Sequence, residues 1–110
     1  MLRYVTFFTY TQPALKAMID HPSDRSAAAR TIVESLGGKM EAFYWMHGPH
    51  DGMLISDLPD GVTGVALSAA VASTGAVSRL QSYQLLDAAQ QSEAVDKAKT
   101  ALAAYQPPTS

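Results

Sequence analysis

The chain has 110 residues with no cysteine, and its eight Lys and Arg against ten Asp and Glu leave a net charge of −2 at pH 7. The length predicts one domain that buries roughly two-thirds of the surface its unfolded chain exposes. The missing thiols exclude a cysteine nucleophile, a thiolate zinc site and iron–sulfur ligation and fit the cytoplasm, and the lack of a basic cluster argues against nucleic acid.

Hydrophobic residues make up 47% of the chain and charged residues only 16%. This ratio is high for a small domain, so we expect some apolar surface to be buried between subunits. No segment approaches the ~20 apolar residues of a membrane span, so no membrane association is expected. The apolar start, residues 1–8, lacks a signal-peptide core and cleavage site and is interpreted as a first strand.

Residues 2–10 are predicted to form that strand, because they are rich in aromatic and β-branched types. Large apolar side chains occur in both alternating sets, so the strand needs cover on both faces. A helix then starts at Thr11-Gln12-Pro13 and is interrupted at His21-Pro22. Ser23 or Asp24 can cap a second helical stretch, whose single apolar stripe contains Ala29, Ile32, Val33 and Leu36.

Gly37-Gly38 ends that helix, and an aromatic strand is predicted over 39–47. Strict alternation would place Met40, Ala42, Tyr44 and Met46 on one face, and Glu41, Phe43, Trp45 and His47 on the other. Gly48-Pro49 favours a turn into a third strand over 51–57.

The remaining elements are a helix over 62–73, a strand over 76–86 and a helix over 87–105. Small alanine side chains should allow the first of these helices to approach a sheet closely. The strand carries polar residues on both faces, which predicts shallow burial or a wet surface. A single domain is expected over 1–105, with a disordered tail over 106–110.

The resulting order of elements, βαββαβ followed by a C-terminal helix, has a compact α+β solution. It is the ferredoxin-like sandwich, in which right-handed crossovers place both helices on one face of a four-stranded antiparallel sheet. Because strands one and two carry large apolar residues on both faces, we expect the open face to be covered by the C-terminal helix or by a second subunit. Two such sheets stacked about a symmetry axis would form a dimeric α+β barrel.

Four short segments along the chain together resemble the GYD domain family: Gly37-Gly38-Lys39, Phe43-Tyr44-Trp45, Gly48-Pro49-His50-Asp51 and Leu58-Pro59-Asp60. The resemblance extends over residues 1 to about 90 and is most specific between 37 and 60. It implies a ferredoxin-like subunit that assembles as a dimeric α+β barrel or larger oligomer, in a largely uncharacterised family. The chain differs from the family at the signature, since His50 stands where a tyrosine is usual.

His47, His50 and Asp51 form the one cluster of residue types suited to acid–base or metal chemistry. A histidine beside a carboxylate can hold one tautomer and transfer a proton near neutral pH. The alternative is structural: a turn with solvent-facing imidazoles and a carboxylate that accepts local N–H groups. We favour the structural interpretation and expect neither a metal nor another cofactor.

Three more residues are candidates for ligand contact: Tyr44, Trp45 and Arg79. The two aromatic residues point to opposite faces, and packing in the core or an interface is the simpler role for each. Arg3 and Arg79 lie on strands built for burial, so each needs a carboxylate, a carbonyl or an anionic ligand.

Two functions from different classes remain open. The first is a small homo-oligomer that binds a small apolar or aromatic ligand, or serves as an assembly module without turnover. The second is a cofactor-independent enzyme, such as an oxygenase or isomerase, acting on a small organic substrate. In the second, His47 or His50 would be the base and Tyr44 or Arg79 would orient the substrate.

Overall fold

The structure is a computed structural model and describes residues 1–109. These residues form four strands and four helices in the expected order. Their bounds are β1 Leu2–Tyr10, α1 Gln12–Asp20, α2 Arg25–Ser35, β2 Lys39–Trp45, β3 Gly52–Leu58, α3 Gly61–Ser73, β4 Val77–Leu85 and α4 Ala88–Ala104.

The four strands form one antiparallel sheet in the order β2-β3-β1-β4. β1 lies in the centre and is paired on both sides, with Thr6 opposite Leu54 of β3 and Ser82 of β4. β2 and β4 form the two edges. This is the ferredoxin-like α+β arrangement expected from the order of the elements.

Helix starts are set by short polar side chains that accept hydrogen bonds from free backbone N–H groups. Asp24 accepts from Ser26 and Ala27 at the start of α2, and Asp60 accepts from Thr63 at the start of α3. Asp87 and Gln90 form a reciprocal capping box at the start of α4. The hydrogen bonds to Asp24 and Asp60 hold the pKa of each carboxyl below its ordinary value.

The face assignment predicted for β2 is wrong in its first half, because a bulge between Met40 and Ala42 shifts the register. Met40 pairs with Ser56 of β3, and Phe43 pairs with Leu54. Ser56 and Leu54 are two positions apart on β3, so they lie on the same face of the sheet. Met40 therefore shares a face with Phe43 and Trp45 rather than with Ala42 and Tyr44. The strand also ends at Trp45 rather than at residue 47.

The helix-covered face of the sheet carries the small buried core. Val33 of α2 packs on Met40 and Leu58, and all three are at most 3% exposed. Partly buried hydrophobic residues surround them: Tyr4, Ala29, Phe43 and Leu67. α3 has no buried residue, which contradicts the expectation that its alanines pack it tightly against the sheet.

Among residues 1–109, no helix covers the opposite face of the sheet, called here the open face. Its apolar side chains come from all four strands and include Val5, Phe7, Ala42, Tyr44, Met53, Ile55, Tyr83 and Leu85. Tyr44 is 60% exposed and Tyr83 is 52% exposed. The prediction of two apolar sheet faces, one of them in need of cover, agrees with this arrangement.

α4 does not provide that cover within the chain. Every residue of α4 is exposed, including the apolar stripe formed by Val95, Leu102 and the following Tyr105. The radius of gyration is 17.9 Å and the longest dimension is 61 Å, whereas a compact domain of this length has a radius near ~13 Å. α4 therefore extends the molecule beyond a compact body. The predicted tail lies outside regular helix over 106–109, and Ser110 falls outside the described residues.

Candidate functional site

A cleft of about 500 Å³ lies between the sheet and the two helices α2 and α3. Its floor is formed by the helix-covered side of β1, from Tyr4 through Thr6 and Phe8 to Tyr10. α2 contributes one wall, including Ala29 and Ile32, and α3 contributes the other, including Val65, Leu67 and Ser68. Leu54 and Leu80 complete the floor on either side of β1.

The cleft exists because the side chains of α3 are too small to fill the space above the sheet. Gly61 and Gly64 lie over the Tyr4 ring, and a Cβ atom added to Gly64 would stand 3.6 Å from Tyr4 Cζ. Alanine favours the helix, and alanine, serine and glycine all provide little side-chain volume. A sequence favouring helix without bulk thus leaves a cavity where a larger residue would have formed core.

Polar groups in the cleft are few and lie at distinct positions. On the floor, the hydroxyls of Thr6 and Ser82 are joined by a hydrogen bond of 2.9 Å. At one end, Tyr10 lies beside Arg25, the first residue of α2. Burial raises the pKa of the Tyr10 hydroxyl, and the neighbouring Arg25 guanidinium opposes that rise. The rest of the wall is predominantly apolar.

The turn between β2 and β3 is held to the end of β1 by Asp51. The backbone N–H of Tyr10 donates to Asp51 Oδ2 at 2.8 Å, and the backbone N–H of Asp51 donates to the Phe8 carbonyl at 2.9 Å. The Met46 N–H donates to the Asp51 carbonyl and closes the turn at 2.7 Å. Asp51 therefore satisfies backbone groups that no neighbouring strand reaches.

The two histidines of the turn do not converge. His50 is half-buried and packs on Phe7 of the open face, with ring centroids 5.3 Å apart, while His47 is exposed. Among residues 1–109, the buried His50 Nδ1 has no hydrogen-bond partner. The expectation that both imidazoles face solvent is thus wrong for His50. Neither histidine contributes to the cleft wall as far as the structure describes it.

A match to a family model over most of the chain establishes the family. The family model described as GYD domain matches residues 4–95. The chain belongs to the GYD domain family. No curated protein sequence matches it.

A solved structure shows the same fold. The crystal structure of MtbAldR resembles this GYD domain with a TM-score of 0.54 and 12% sequence identity. The similarity covers 78% of the GYD domain and 52% of the MtbAldR chain, so the domain spans about half the length of that protein. At this identity the likeness concerns the fold.

The remaining predicted site residues of the GYD domain are spread over both sheet faces. Tyr44 lies on the open face, whereas Trp45 lies on the helix-covered face, 56% exposed, with its ring centroid 5.7 Å from that of Tyr10. Arg79 is exposed on the open-face side of β4, opposite Thr9, rather than buried. These positions do not bring Tyr44, Trp45 and Arg79 into one site.

Arg3 has the carboxylate partner that the sequence demanded. Its guanidinium donates two hydrogen bonds to Asp57, at 2.8 and 2.9 Å, and lies 3.6 Å from Glu41. The hydrogen bond from Arg3 is the main reason that the pKa of Asp57 is lowered. The Arg3–Asp57 ion pair therefore places charged groups at one end of the open face.

Two features are absent from residues 1–109: a metal-binding cluster and a membrane-spanning helix. These residues contain no group of three or more histidine, aspartate or glutamate side chains placed to hold a metal ion. None of their helices combines the length and the apolar character needed to cross a bilayer.

Arg25 and Gly52 were not identified from the sequence as residues that shape the site or the turn. Arg25 follows the helix cap, where a charged residue is ordinary, and its place at the end of a cleft depends on how α2 and α3 pack on the sheet. Gly52 carried a usable signal, because a glycine inside a strand marks a close approach of another group. That group is the Phe8 ring, which occupies the space of a Cβ atom at Gly52.

Proposed function

We propose that this GYD domain binds a small apolar or aromatic molecule in the cleft and does so as a homo-oligomer, without turnover. The observation that supports ligand binding is the cleft itself. Its volume of about 500 Å³ falls within the range of ligand pockets, and its walls are largely apolar with a few polar groups. A lack of cysteine supports a cytoplasmic location as part of the same proposal.

An open apolar cleft of this size leaves apolar side chains in contact with water, which is unfavourable. Side chains that border water also lack the dense dispersion contacts of a packed core. A ligand that fills the cleft would recover those contacts. The small side chains of α3 are thus consistent with a space kept for an occupant.

Self-association is supported by two other surfaces. The open face presents apolar side chains on all four strands, and α4 presents Val95 and Leu102, which are 51% and 71% exposed. Exposed apolar patches of this extent are typical of interaction sites. Stacking of two open faces would produce the dimeric α+β barrel, with α4 available to contact the second copy.

The enzyme alternative has no specific observation in its favour. Among the described residues that line the cleft, the ionisable ones are Tyr4, Tyr10 and Arg25. His47 and His50, the candidate bases, lie outside the cleft lining. Because a general base must reach the proton that it abstracts, ligand binding without turnover is the function proposed.

A variant that fills the cleft tests the ligand site. Ser68→Trp places a large ring in the cleft, whereas Val62→Trp places the same ring at a position of α3 that is 80% exposed and outside the cleft lining. We expect the unmodified domain and Val62→Trp to bind 3-phenylpropan-1-ol, and Ser68→Trp to lose binding by at least about tenfold. Isothermal titration calorimetry measures each dissociation constant.

Two results of this titration would contradict the proposal. One is an absence of binding by the unmodified domain, tested with 3-phenylpropan-1-ol, 1-octanol and the two acids of matched shape, 3-phenylpropanoate and octanoate. The other is equal binding by Ser68→Trp and Val62→Trp, provided that circular dichroism shows both variants folded. Equal binding would place the apolar site elsewhere, with the open face as the next surface to examine.

A further inference from the structure

We infer that the ligand is an organic acid, with an aliphatic or aromatic body that occupies the apolar cleft and a carboxylate that binds the guanidinium of Arg25. This inference rests on the proposed function, since it specifies the chemistry of a ligand for the same cleft. It assigns to Arg25 a role as the residue that selects an anionic ligand.

The first support is the distribution of charge around the cleft. Arg25 lines the cleft, and no aspartate, glutamate, lysine or histidine does so among the described residues. The cleft therefore carries a single positive charge and no neutralising negative charge on its wall. An apolar site with one fixed cation favours a ligand that combines apolar bulk with one negative charge.

The second support concerns the partners of Arg25, whose guanidinium lies beside the Tyr10 hydroxyl. Within residues 1–109, no carboxylate lies within 4.0 Å of its guanidinium nitrogens, although the side chain is half-buried. The adjacent carboxylate of Asp24 is engaged by Ser26 and Ala27 at the start of α2. A carboxylate can bind a guanidinium through two parallel charge-assisted hydrogen bonds, so a carboxylate is the most suitable partner for this cation.

The third support is the position of Arg25 relative to the apolar bulk. Arg25 lies at the Tyr10 end of the cleft, and Tyr4, Leu58 and Gly64 line the cleft at the opposite end of β1. Tyr4 and Tyr10 are six positions apart along the strand, which corresponds to roughly 20 Å. A molecule with an acid group at one end can therefore reach Arg25 while its body covers the floor.

The surroundings of Arg25 also suit a charged ligand group. Arg25 borders a second hollow, formed by α1, the α1–α2 connection and Trp45, so its guanidinium stands where two hollows meet. Solvent can reach a group in this position, which allows a charged head to enter without complete loss of its hydration. The apolar body would occupy the drier space between the sheet and α3.

The test compares acids with alcohols of matched shape. Octanoate and 3-phenylpropanoate are titrated against 1-octanol and 3-phenylpropan-1-ol at pH 7 by isothermal calorimetry. We expect each acid to bind the unmodified domain at least about tenfold more tightly than its alcohol, the size expected of a charge-assisted hydrogen bond. This comparison needs no variant and remains decisive even where substitutions at Arg25 impair folding.

Variants then assign the effect to Arg25. Arg25→Gln should weaken acid binding by about tenfold or more and leave alcohol binding within about twofold, and Arg25→Lys should restore part of the loss. The matched control is Arg30→Gln, because Arg30 lies on the same helix, is exposed and lies outside the cleft lining. We expect Arg30→Gln to bind acids as the unmodified domain does.

The outcomes separate this inference from the proposed function. Equal affinity for acids and alcohols would overturn the inference and leave the proposed function standing. A preference for acids that survives in Arg25→Gln would also overturn it, since another group would then select the anion. If no acid or alcohol binds, both the inference and the proposed function are contradicted.

Discussion

Gly52 is the residue least tolerant of a side chain in the turn region. A Cβ atom there would overlap the Phe8 ring and stand 2.9 Å from the Tyr44 carbonyl oxygen. We expect Gly52→Ala to lower the free energy of unfolding by about 2 kcal/mol or more, the usual cost of forcing extra volume into packed structure. Chemical denaturation measures the change.

The control lies four residues earlier in the same turn. Nothing lies within 4 Å of a Cβ atom added to Gly48, so Gly48→Ala should change the free energy of unfolding by less than about 0.5 kcal/mol. Equal losses in the two variants would mean that the close approach of Phe8 to Gly52 is absent in solution.

Asp51 is expected to act structurally, through the hydrogen bond from the Tyr10 N–H. Asp51→Ala leaves that partly buried donor without an acceptor and should cost about 1–3 kcal/mol. Asp51→Asn keeps an acceptor oxygen and should cost less. His50→Ala removes a half-buried ring from Phe7, and we expect a loss of about 1 kcal/mol or less. Thermal denaturation ranks the three variants, and a larger loss in His50→Ala than in Asp51→Ala would contradict this assignment.

The Arg3–Asp57 pair makes stability depend on pH in acid. The hydrogen bond from Arg3 lowers the pKa of Asp57 in the folded state below its ordinary value of 3.8. This contribution is fully present above pH 3.8 and is lost as the pH falls through the folded-state pKa. We expect Asp57→Asn to reduce the fall in melting temperature between pH 5 and pH 3.

Asp96→Asn on the exposed α4 provides the control for that titration. It should leave the acid dependence close to that of the unmodified domain. An unchanged acid dependence in Asp57→Asn would indicate that the pair does not stabilise the folded state.

Every residue of α4 is exposed, whereas each of the other three helices has partly buried residues. Most helical stability in proteins comes from packing of an apolar face, so the fully exposed α4 of 17 residues is expected to dock on a second copy. Its charged residues pair along the helix, as Lys97 does with Glu93, and the apolar stripe is left uncharged. This pattern favours burial of the stripe.

Charges on the stripe should therefore weaken self-association. We expect the double variant Val95→Glu and Leu102→Glu to raise the dimer dissociation constant by at least about tenfold in sedimentation equilibrium. The control pair is Thr100→Glu and Ala104→Glu, which at 100° per residue lie on the opposite side of α4. Equal effects of the two pairs, or none, would exclude α4 from the interface.

The elements were largely predictable because hydrophobic periodicity and capping signals are local. Asp24 and Gly37-Gly38 bracket α2, and the aromatic run after Lys39 is typical of a strand. The bulge at Met40 was not predictable, since Glu41 is an ordinary member of an alternating pattern until pairing with β3 is known. The cleft was also missed, because it depends on how far α3 stands from the sheet, and the sequence specifies small side chains rather than that distance.

For the whole molecule, we propose self-association, and the apolar open face and the exposed α4 support this proposal. Light scattering at micromolar concentration should return at least twice the chain mass of 11.7 kDa. A mass of 11.7 kDa that does not change on further concentration would contradict self-association. The predicted apolar second face is present in the structure, whereas the partner that covers it remains part of the proposal.

The most direct test of the cleft as the ligand site is a nuclear magnetic resonance titration. Octanoate is added to the ¹⁵N-labelled domain, and amide shifts are followed on both faces of the sheet. We predict saturable shifts at cleft residues such as Thr6, Leu67 and Leu80, with little change at Ile55 and Tyr83 of the open face. Shifts confined to the open face, or no saturable shift, would contradict a ligand site between the sheet and α3.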